Sequence, residues 1–216
     1  MPQHKSNNKQ KNKKGTRHKS FSRPKKSQLR IIGGQFRGRK LSFESAQGLR
    51  PTLDQVRETL FNWLSADIHG AKCLDLFSGS GALGFEALSR GASSVTFVDN
   101  NINAINHIKS NLEVLTSNLN QTNDPSEENN RCINQTSEQF LQSTNEQFDY
   151  VFLDPPYELG FIQSTLEKLQ SVLNPNAIIY IEMEANLSLD FLNNAWEIKK
   201  MKSSSRLAYG LIEPKK

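Results

Sequence analysis

The feature that most restricts the fold of this chain is a regular alternation of short apolar runs with helical patterns, which begins at Lys72. Such an alternation is typical of a parallel sheet covered by helices on both faces. Because each run is apolar at its centre, we expect both faces of the sheet to be buried. The predicted strands are Cys73 to Phe77, Val95 to Val98, Arg131 to Asn134, Tyr150 to Leu153 and Ala177 to Glu182.

Helical patterns fill the intervals between these strands, and a hairpin is expected at the end of the chain. The runs Trp196 to Met201 and Leu207 to Ile212 can pair antiparallel through three serines and so extend the sheet. Residues 118–130 are polar and rich in asparagine, which predicts a solvent loop. The predicted helices are Gly81 to Arg90, Ile102 to Leu115, Ser137 to Gln142, Phe161 to Leu173 and Leu187 to Leu192.

The part of the chain that precedes this α/β region is strongly basic. Residues 1–50 contain 15 lysines and arginines and one acid, Glu44, whereas the rest of the chain contains 12 basic and 21 acidic residues. A basic arm on an acidic body is expected where one part of a protein must reach a phosphate backbone. Residues 1–27 lack acids and hold few apolar side chains, which predicts a disordered tail. Its composition leaves open whether it contacts RNA or is only solvated.

Residues 28–70 are predicted to form a basic hairpin followed by a helix. The strand-like runs Leu29 to Gly34 and Arg39 to Phe43 flank a turn that contains glycine and arginine. A helix is predicted to begin at Arg50-Pro51-Thr52, where Thr52 and Gln55 have capping-box spacing, and to end by Gly70. The remaining residues, 71–216, then form the α/β domain.

Composition excludes several classes of protein. The longest apolar run, Ala177 to Ile181, is far shorter than the roughly 20 residues that a membrane helix needs, and the start of the chain lacks the apolar stretch of a secretion signal. Two cysteines, Cys73 and Cys132, are too few for a disulfide framework or a cysteine zinc site. The four histidines are scattered. We therefore expect a cytoplasmic protein with no membrane and no metal partner.

A glycine turn follows the first strand of the α/β region. Gly79 and Gly81 let the backbone approach a ligand, and the helix that follows offers free N–H groups. The G-x-G-x-x-G spacing alone would suggest a dinucleotide. However, Asp75 would repel a pyrophosphate and attract the sulfonium and ammonium groups of S-adenosylmethionine. After the next strand, Asp99 can accept the ribose hydroxyls. S-adenosylmethionine is therefore the predicted cofactor, the alternative being that Asp75 caps the loop and the glycines only form a turn.

A second site is predicted where the fourth strand runs into Asp154-Pro155-Pro156-Tyr157. The two prolines fix the backbone and remove two N–H donors, so the carbonyl of Pro155 can face a ligand. Together with the Asp154 carboxylate, it can accept both hydrogens of an exocyclic amine and hold the nitrogen in line with a methyl donor. Tyr157 can carry the base by stacking. The alternative is an ordinary turn at the end of a strand.

These residues resemble the small-subunit ribosomal RNA guanine-N2 methyltransferases of the RsmD type. The resemblance extends over about residues 29–213, and it is carried by six segments in the order in which that family has them. They are Arg30 to Gly34, Arg37 to Leu41, Gly48 to Thr52, Val56 to Leu64, Gly79 to Ala92 and Asp154 to Tyr157.

The resemblance implies a Rossmann-like class I S-adenosylmethionine-dependent fold with a seven-stranded, mostly parallel sheet and an N-terminal β-hairpin extension that binds RNA. It implies methylation of the N2 amine of one guanine in 16S ribosomal RNA, on a protein-bearing small-subunit assembly particle. We expect the enzyme to act as a monomer. An adenine-N6 methyltransferase acting on DNA or RNA stays open, as do a nicotinamide-dependent oxidoreductase and a non-catalytic RNA-binding assembly factor.

The predicted site residues fall into three groups. Those expected in catalysis are Asp154, Pro155, Pro156 and Tyr157, where the family often has Phe in place of Tyr157. Those expected at the cofactor are Asp75, Phe77, Gly79, Gly81, Asp99, Asn100, Gln135, Thr136 and Asp154, although related enzymes often have an acid where this chain has Gln135 and Thr136. Those expected at the RNA are Arg37, Arg39, Lys40, Arg50 and Arg57. Alternatively, Arg57 pairs with Asp54 or Glu58, and Arg50 only shapes the corner before Pro51.

Overall fold

The computed structural model describes residues 26–44, 54–117, 129–157 and 160–216 of the chain. Strands β1 (Lys26–Arg30) and β2 (Lys40–Glu44) pair antiparallel and form the predicted N-terminal hairpin, but the first strand, predicted over Leu29 to Gly34, ends at Arg30. Helix α1 (Asp54–Trp63) follows. Arg50 and Thr52 lie outside the described residues, as do residues 1–25 of the predicted tail and most of the predicted polar loop.

From Lys72 onward strands and helices alternate, as the sequence predicts. They are β3 (Lys72–Asp75), α2 (Ala82–Ser89), β4 (Ser94–Asp99), α3 (Ile102–Thr116), β5 (Arg131–Asn134), α4 (Ser137–Ser143), β6 (Phe148–Leu153), α5 (Phe161–Leu169), β7 (Leu173–Glu184), β8 (Trp196–Ser203) and β9 (Leu207–Pro214).

Strands β3 to β9 form one seven-stranded sheet in the order β5-β4-β3-β6-β7-β9-β8. Neighbouring strands from β5 to β7 are parallel, and β9 runs antiparallel to both β7 and β8. The predicted α/β class, the mostly parallel sheet and the C-terminal hairpin are thereby confirmed.

A hydrophobic core covers each face of this sheet. On one face, the hairpin, α1, α2 and α3 pack together against the strands, through side chains such as Leu41, Phe61 and Phe85. On the other face, α4 and α5 contribute Phe140 and Leu166. The hairpin and α1 share the first of these cores with the sheet. The predicted domain boundary at residue 70 stays a prediction. Among the described helices, none combines the length and apolar composition that a membrane crossing requires.

Two helix predictions are wrong in part or in whole. The helix predicted over Phe161 to Leu173 is α-helical only to Leu169, continues as a 3-10 turn over Gln170–Val172, and gives way to β7 at Leu173. Pro175 keeps Asn174 out of the helical region, so the helix could not have continued past this point. The helix predicted over Leu187 to Leu192 is replaced by turns and one 3-10 turn, Asp190–Leu192. There the Ser188 hydroxyl donates to the Asp190 carboxylate, a local bond that competes with helix formation.

Candidate active site

Three carboxylates meet at the carboxyl edge of the sheet. Asp75 ends β3, Asp99 ends β4, and Asp154 directly follows β6. Because β3 lies between β4 and β6, Asp75 pairs with Phe97 on one side and with Phe152 on the other. The glycine turn and the Asp154 motif therefore leave neighbouring strands at the same edge, which is where ligands bind in open α/β sheets.

The turn after β3 is held by Ser78, whose hydroxyl donates to the carbonyls of Asp75 (2.7 Å) and Val98 (3.1 Å). The backbone N–H of Gly81 donates to the Ser78 carbonyl at 2.6 Å and closes the turn. Gly81 has φ of 79°, and a Cβ there would lie 2.6 Å from the Phe85 ring. Only glycine fits this backbone without strain. Sequence reasoning had no ground to single out Ser78, since a serine in a turn is common.

Asp75 is buried, with 3% of its surface exposed, and its Oδ2 accepts the Gly84 N–H at 3.0 Å. Asp75 therefore does cap the start of α2, as the alternative prediction had it, but it uses only its Oδ2 atom to do so. Burial raises the pKa of Asp75 to about 7, while the bond from Gly84 opposes this shift. A carboxylate in this setting gains more from a nearby cation than one in water does.

Asp99 joins the glycine turn to the start of α3. Its Oδ2 accepts the Gly79 N–H and its Oδ1 accepts the Asn101 N–H, each at 2.8 Å. Asn100 is exposed beside it. The backbone bonds hold the carboxylate at the carboxyl edge of β4, with further lone pairs able to accept hydroxyl groups.

Gln135 and Thr136 follow β5, next to Asp99, because Asp99 pairs with Asn134. Thr136 is the N-cap of α4: its hydroxyl oxygen accepts the Gln139 N–H, and the Gln139 side chain accepts the Thr136 N–H. This reciprocal capping box explains why a threonine stands here. It commits the Thr136 side chain to the helix. A polar side chain in contact with Asp99 is that of Asn134, whose Nδ2 donates to the Asp99 carbonyl at 3.0 Å, and Gln135 is half-buried.

Two phenylalanines, Phe77 beside the glycine turn and Phe161 at the start of α5, contact each other. The ring of Phe77 is 5.9 Å from that of Phe161, centroid to centroid, at an angle of 48°. Phe161 begins α5 and is an exposed large apolar side chain. Sequence reasoning identified Phe77 and missed Phe161, although an apolar residue four positions after Tyr157 was a visible signal.

The Asp154 motif combines a firm backbone with an exposed ring. Asp154 is half-buried, Pro155 is buried, and Pro156 and Tyr157 are exposed, Tyr157 to 42%. The Tyr157 hydroxyl donates to Glu182 Oε1 at 2.9 Å. This contact fixes one end of the ring while its face remains accessible.

Glu182 on β7 is a site residue that sequence reasoning missed. It is 5% exposed, and the Tyr180 hydroxyl donates to its Oε2 at 2.7 Å. Burial raises the pKa of Glu182, whereas the two tyrosine hydroxyls act in the opposite direction. The pKa of each tyrosine is raised, chiefly by burial and then by the Glu182 charge, so both are neutral donors. The signal in the sequence was an acid inside an otherwise apolar strand.

Comparison with known proteins bears on this arrangement. A family model described as conserved hypothetical protein 95 matches residues 29–212. Ribosomal RNA small subunit methyltransferase D of Haemophilus influenzae is 43% identical over 192 residues, which are 87% of this chain and 95% of that protein. The chain belongs to the RsmD family. The resemblance seen in the sequence is thereby confirmed.

Solved structures agree with membership of the RsmD family. A structure from Escherichia coli is 37% identical with a TM-score of 0.74, and the match covers 87% of this chain and 98% of that one. A T. thermophilus 16S ribosomal RNA N2 methyltransferase, solved with S-adenosylmethionine and guanosine, has a TM-score of 0.61 at 18% identity, covering 86% of this chain and 50% of that chain. This second likeness confirms the Rossmann-like methyltransferase fold.

The basic residues expected at the RNA differ in their exposure to solvent in this member of the RsmD family. Arg37, Arg39 and Lys40 are exposed at the tip of the hairpin, whereas Arg50 lies outside the described residues. Arg57 is 0% exposed, so the structure contradicts a direct RNA contact by its side chain. Its Nη2 donates to Asp54 Oδ1 (2.6 Å) and to the Arg30 carbonyl (3.0 Å), which matches the alternative of an ion pair with Asp54.

Two polar residues of α2, the helix that follows the glycine turn, form hydrogen bonds to the hairpin. Glu86 is fully buried and accepts the N–H groups of Ile32 and Gly33, each at 2.8 Å. The Ser89 hydroxyl oxygen accepts the Phe36 N–H at 2.9 Å. Sequence reasoning missed both, although a lone acid inside an apolar helix was a signal. The described residues contain no cluster of three or more His, Cys, Asp or Glu that could hold a metal ion.

Proposed function

We propose that this protein transfers a methyl group from S-adenosylmethionine to the N2 amine of one guanine in 16S ribosomal RNA. The observation that carries the proposal is the register of β3 and β6, which brings the glycine turn and the Asp154 motif to one sheet edge on neighbouring strands. The coarser activity, ribosomal RNA methylation, is that of the relatives named above. The choice of guanine N2 is the finer step.

The cofactor pocket of this proposal fits S-adenosylmethionine through the chemistry of its polar groups. Buried Asp75 favours a cation, such as the sulfonium or the α-ammonium, and disfavours a pyrophosphate, which argues against the nicotinamide alternative. Asp99 would accept the ribose hydroxyls, and Phe77, Asn100, Gln135 and Thr136 would border the adenine side. When bound, the cofactor supplies an electrophilic methyl group.

In the proposed reaction, Asp154 and the Pro155 carbonyl accept the two hydrogens of the guanine N2 amine. This orients the nitrogen toward the methyl carbon and stabilises the positive charge that develops on it. The N–C bond forms as the S–C bond breaks, and one proton then leaves the nitrogen for Asp154 or water. Pro156 helps fix the backbone, and Tyr157, held by Glu182, carries the base on its exposed face.

The proposed substrate is RNA within a small-subunit assembly particle, and the proposed enzyme is a cytoplasmic monomer. Arg37, Arg39 and Lys40 on the hairpin, together with Arg50, would bind RNA phosphates. Methylation assays on naked 16S RNA, on assembly particles and on mature small subunits would identify the substrate, and sedimentation would give the oligomeric state.

The test of the base is mass spectrometry of nucleosides from small-subunit RNA. Cells that lack the protein should lack one N2-methylguanine, and purified protein should restore it. A missing N6-methyladenine would support the adenine alternative instead, and an unchanged methylation pattern would contradict both activities.

The test of the catalytic motif is Asp154→Ala. We expect methyl transfer to fall by at least 100-fold, roughly 2.7 kcal/mol in the barrier, because a positioned acceptor is removed. Binding of S-adenosylhomocysteine, measured by calorimetry, should persist. If cells carrying Asp154→Ala assembled ribosomes normally while hairpin charge variants did not, a non-catalytic assembly factor would be the better description.

A further inference from the structure

The described cations of the α/β domain are unevenly distributed. Four of the 12 basic residues that follow residue 50 lie between Lys199 and Arg206, on β8 and the turn after it, and no acid lies among them. Among the described residues, no carboxylate is within ion-pair distance of Lys200, Lys202 or Arg206. Of the other nine basic residues that follow residue 50, five have ion pairs: Arg57 with Asp54, Arg90 with Glu86, Arg131 with Glu146, Lys168 with Glu138, and Lys199 with Glu197 and Glu213. The remaining four, Lys72, Lys109, Lys215 and Lys216, are scattered over the described chain rather than clustered on one strand.

Two of these lysines stand beside an aromatic platform. Lys202 pairs with Tyr209 across β8 and β9, so both side chains point to the same face, and Lys200 lies two residues earlier. The Trp63 ring stacks on Tyr209 with centroids 5.9 Å apart and an angle of 27°. Lys202 Nζ is 5.7 Å from the centre of the Trp63 ring. Both rings are partly exposed.

The platform adjoins the candidate active site. Tyr209 pairs with Glu182, the residue that holds Tyr157, and its ring centroid is 6.5 Å from that of Tyr180. In the sheet, β8 is at the opposite end from β5 and β4, while the catalytic edge of β3 and β6 lies in the middle. The hairpin packs against α3, which contacts β4 and β5. The lysines and the hairpin therefore lie toward different ends of the sheet, with Trp63 and Tyr209 packed against the same core as the hairpin.

We propose that Lys200, Lys202, Arg206, Trp63 and Tyr209 form a second RNA-contact surface, here called the β8 surface. The cations bind phosphates on one side of the target guanine, and Trp63 stacks on an unpaired base of the flanking RNA. The proposal rests on an RNA substrate and adds a contact toward the end of the sheet that lies away from the hairpin. A positively charged surface on a domain with an excess of acids complements a phosphate backbone. The alternative, that lysines on the edge strand β8 only prevent aggregation, would explain the charges but not the neighbouring aromatic rings.

The test compares two double variants of equal charge. Lys200→Gln/Lys202→Gln removes two lysines that have no carboxylate partner among the described residues, and Lys168→Gln/Lys199→Gln removes two lysines that acids already neutralise. Binding is measured to 16S RNA transcript and to small subunits from cells that lack the protein. We expect the affinity of the first variant for both to fall at least 10-fold, and that of the second less than 2-fold. Binding of S-adenosylhomocysteine should be the same in both.

Salt dependence gives an independent readout. Removal of each phosphate contact should flatten the plot of log K against log salt by about 0.7 to 0.9. Equal slopes and affinities in the two double variants would overturn the proposal. So would a weaker affinity confined to small subunits, since that would indicate a ribosomal protein as partner, or a fall in solubility with RNA affinity unchanged, since that would indicate edge protection.

The aromatic part is tested by fluorescence. Trp63 and Trp196 are the two tryptophans, and Trp196 is buried, so Trp196→Phe leaves Trp63 as the emitter. The RNA fragment that carries the methylated guanine should quench its emission. Unchanged emission at saturating RNA would exclude stacking on Trp63.

Failure of this proposal is distinct from failure of the proposed function. If the wild type methylates small-subunit RNA and the two double variants bind it equally, only the β8 surface is wrong. If the wild type binds RNA through the β8 surface but transfers no methyl group, the activity is wrong and the surface stands.

Discussion

Glu182 receives hydrogen bonds from two tyrosines, and this places a residue of β7 behind the ring expected to carry the target base. Its two oxygens are taken by Tyr157 (2.9 Å) and Tyr180 (2.7 Å) at a buried position. A buried carboxylate without donors would be costly, so the tyrosines stabilise Glu182 while it orients Tyr157. A phenylalanine at position 157 would keep the ring and remove this anchor.

Substitutions at Tyr157 should separate the contribution of its ring to RNA binding from the contribution of its hydroxyl to stability. Tyr157→Ala should lower kcat/KM for RNA by about 5- to 150-fold, because stacking contributes about 1 to 3 kcal/mol. Tyr157→Phe should keep kcat/KM within about 3-fold of wild type but lower the free energy of unfolding by about 1 to 2 kcal/mol, since Glu182 loses a donor. Steady-state kinetics and urea unfolding measure the two effects. A Phe variant as inactive as the Ala variant would contradict stacking as the role of the ring.

The raised pKa of Asp75 predicts pH-dependent cofactor binding. Burial raises this pKa from 3.8 to about 7, so the folded, unliganded protein retains a proton that the unfolded chain releases over this range. Its unfolding free energy should therefore decrease as pH rises from about 4 to 7. A cationic cofactor needs the ionised form, so affinity for S-adenosylmethionine should increase toward pH 7 and then level off. Asp75→Asn should bind weakly with a flat pH profile, which calorimetry between pH 5.5 and 8.5 would show.

At the scale of elements, the hairpin is held against α2 and α3 by hydrogen bonds rather than joined to the domain only through the chain. Glu86 of α2 accepts two of its backbone N–H groups, and Asn111 of α3 both accepts from and donates to Ser42 on β2 (3.3 and 3.0 Å). Arg57 lies beside Glu86, with Nη1 3.8 Å from Oε2. The hairpin is therefore held by the C-terminal half of α2, the helix that begins at the glycine turn.

Two glycines of the hairpin provide a matched test of this docking. Both have positive φ, 74° at Gly34 and 82° at Gly38, but a Cβ would lie 1.7 Å from the Ser89 carbonyl oxygen at Gly34 and 3.9 Å from its nearest neighbour at Gly38. Gly38→Ala should cost only the backbone strain, about 1 kcal/mol. Gly34→Ala should cost about 3 kcal/mol or more, because the clash with backbone displaces the segment from α2. Equal midpoints in urea unfolding would show that the segment is not held there.

The elements that sequence predicted best are those with a strong apolar pattern. The strands at Val95 and Tyr150 and the two turns that follow β3 and β6 needed only local information, because buried parallel strands and glycine or proline turns are encoded nearby. The pairing of Arg57 with Asp54 was visible in the sequence as an alternative, but the burial of Arg57 was not, because it depends on Arg30 and Glu86, which are distant in sequence. Glu182 and Glu86 were not predicted as site residues for the same reason. Each is a buried acid whose role depends on hydrogen-bond donors that are distant in sequence, such as Tyr157 for Glu182 and Ile32 for Glu86.

At the scale of the whole molecule, charge and topology divide the protein into a basic arm and an acidic body. The candidate site lies on the middle strands β3 and β6, α3 and the hairpin lie toward β4 and β5, and β8 is the opposite edge strand. The described cations Arg37, Arg39 and Lys40 are on the hairpin, whereas Lys200 and Lys202 are on β8. An RNA bound by both proposed surfaces would extend along the sheet past the carboxyl edge, where Asp75 and Asp154 lie.

Removal of residues 1–25 tests how much of the RNA affinity comes from the arm. These residues contribute nine of the 15 lysines and arginines of the first 50, while the described hairpin begins at Lys26 and shares the core of the sheet. A chain that starts at residue 26 keeps the whole hairpin and should therefore retain S-adenosylhomocysteine binding and kcat on saturating small subunits. Its RNA affinity should be lower, and its salt slope should be flatter by about 0.7 to 0.9 for each phosphate that the arm binds in the full chain. If the slopes of the two chains coincide, the arm is only solvated, and the RNA is held by the hairpin and the body alone.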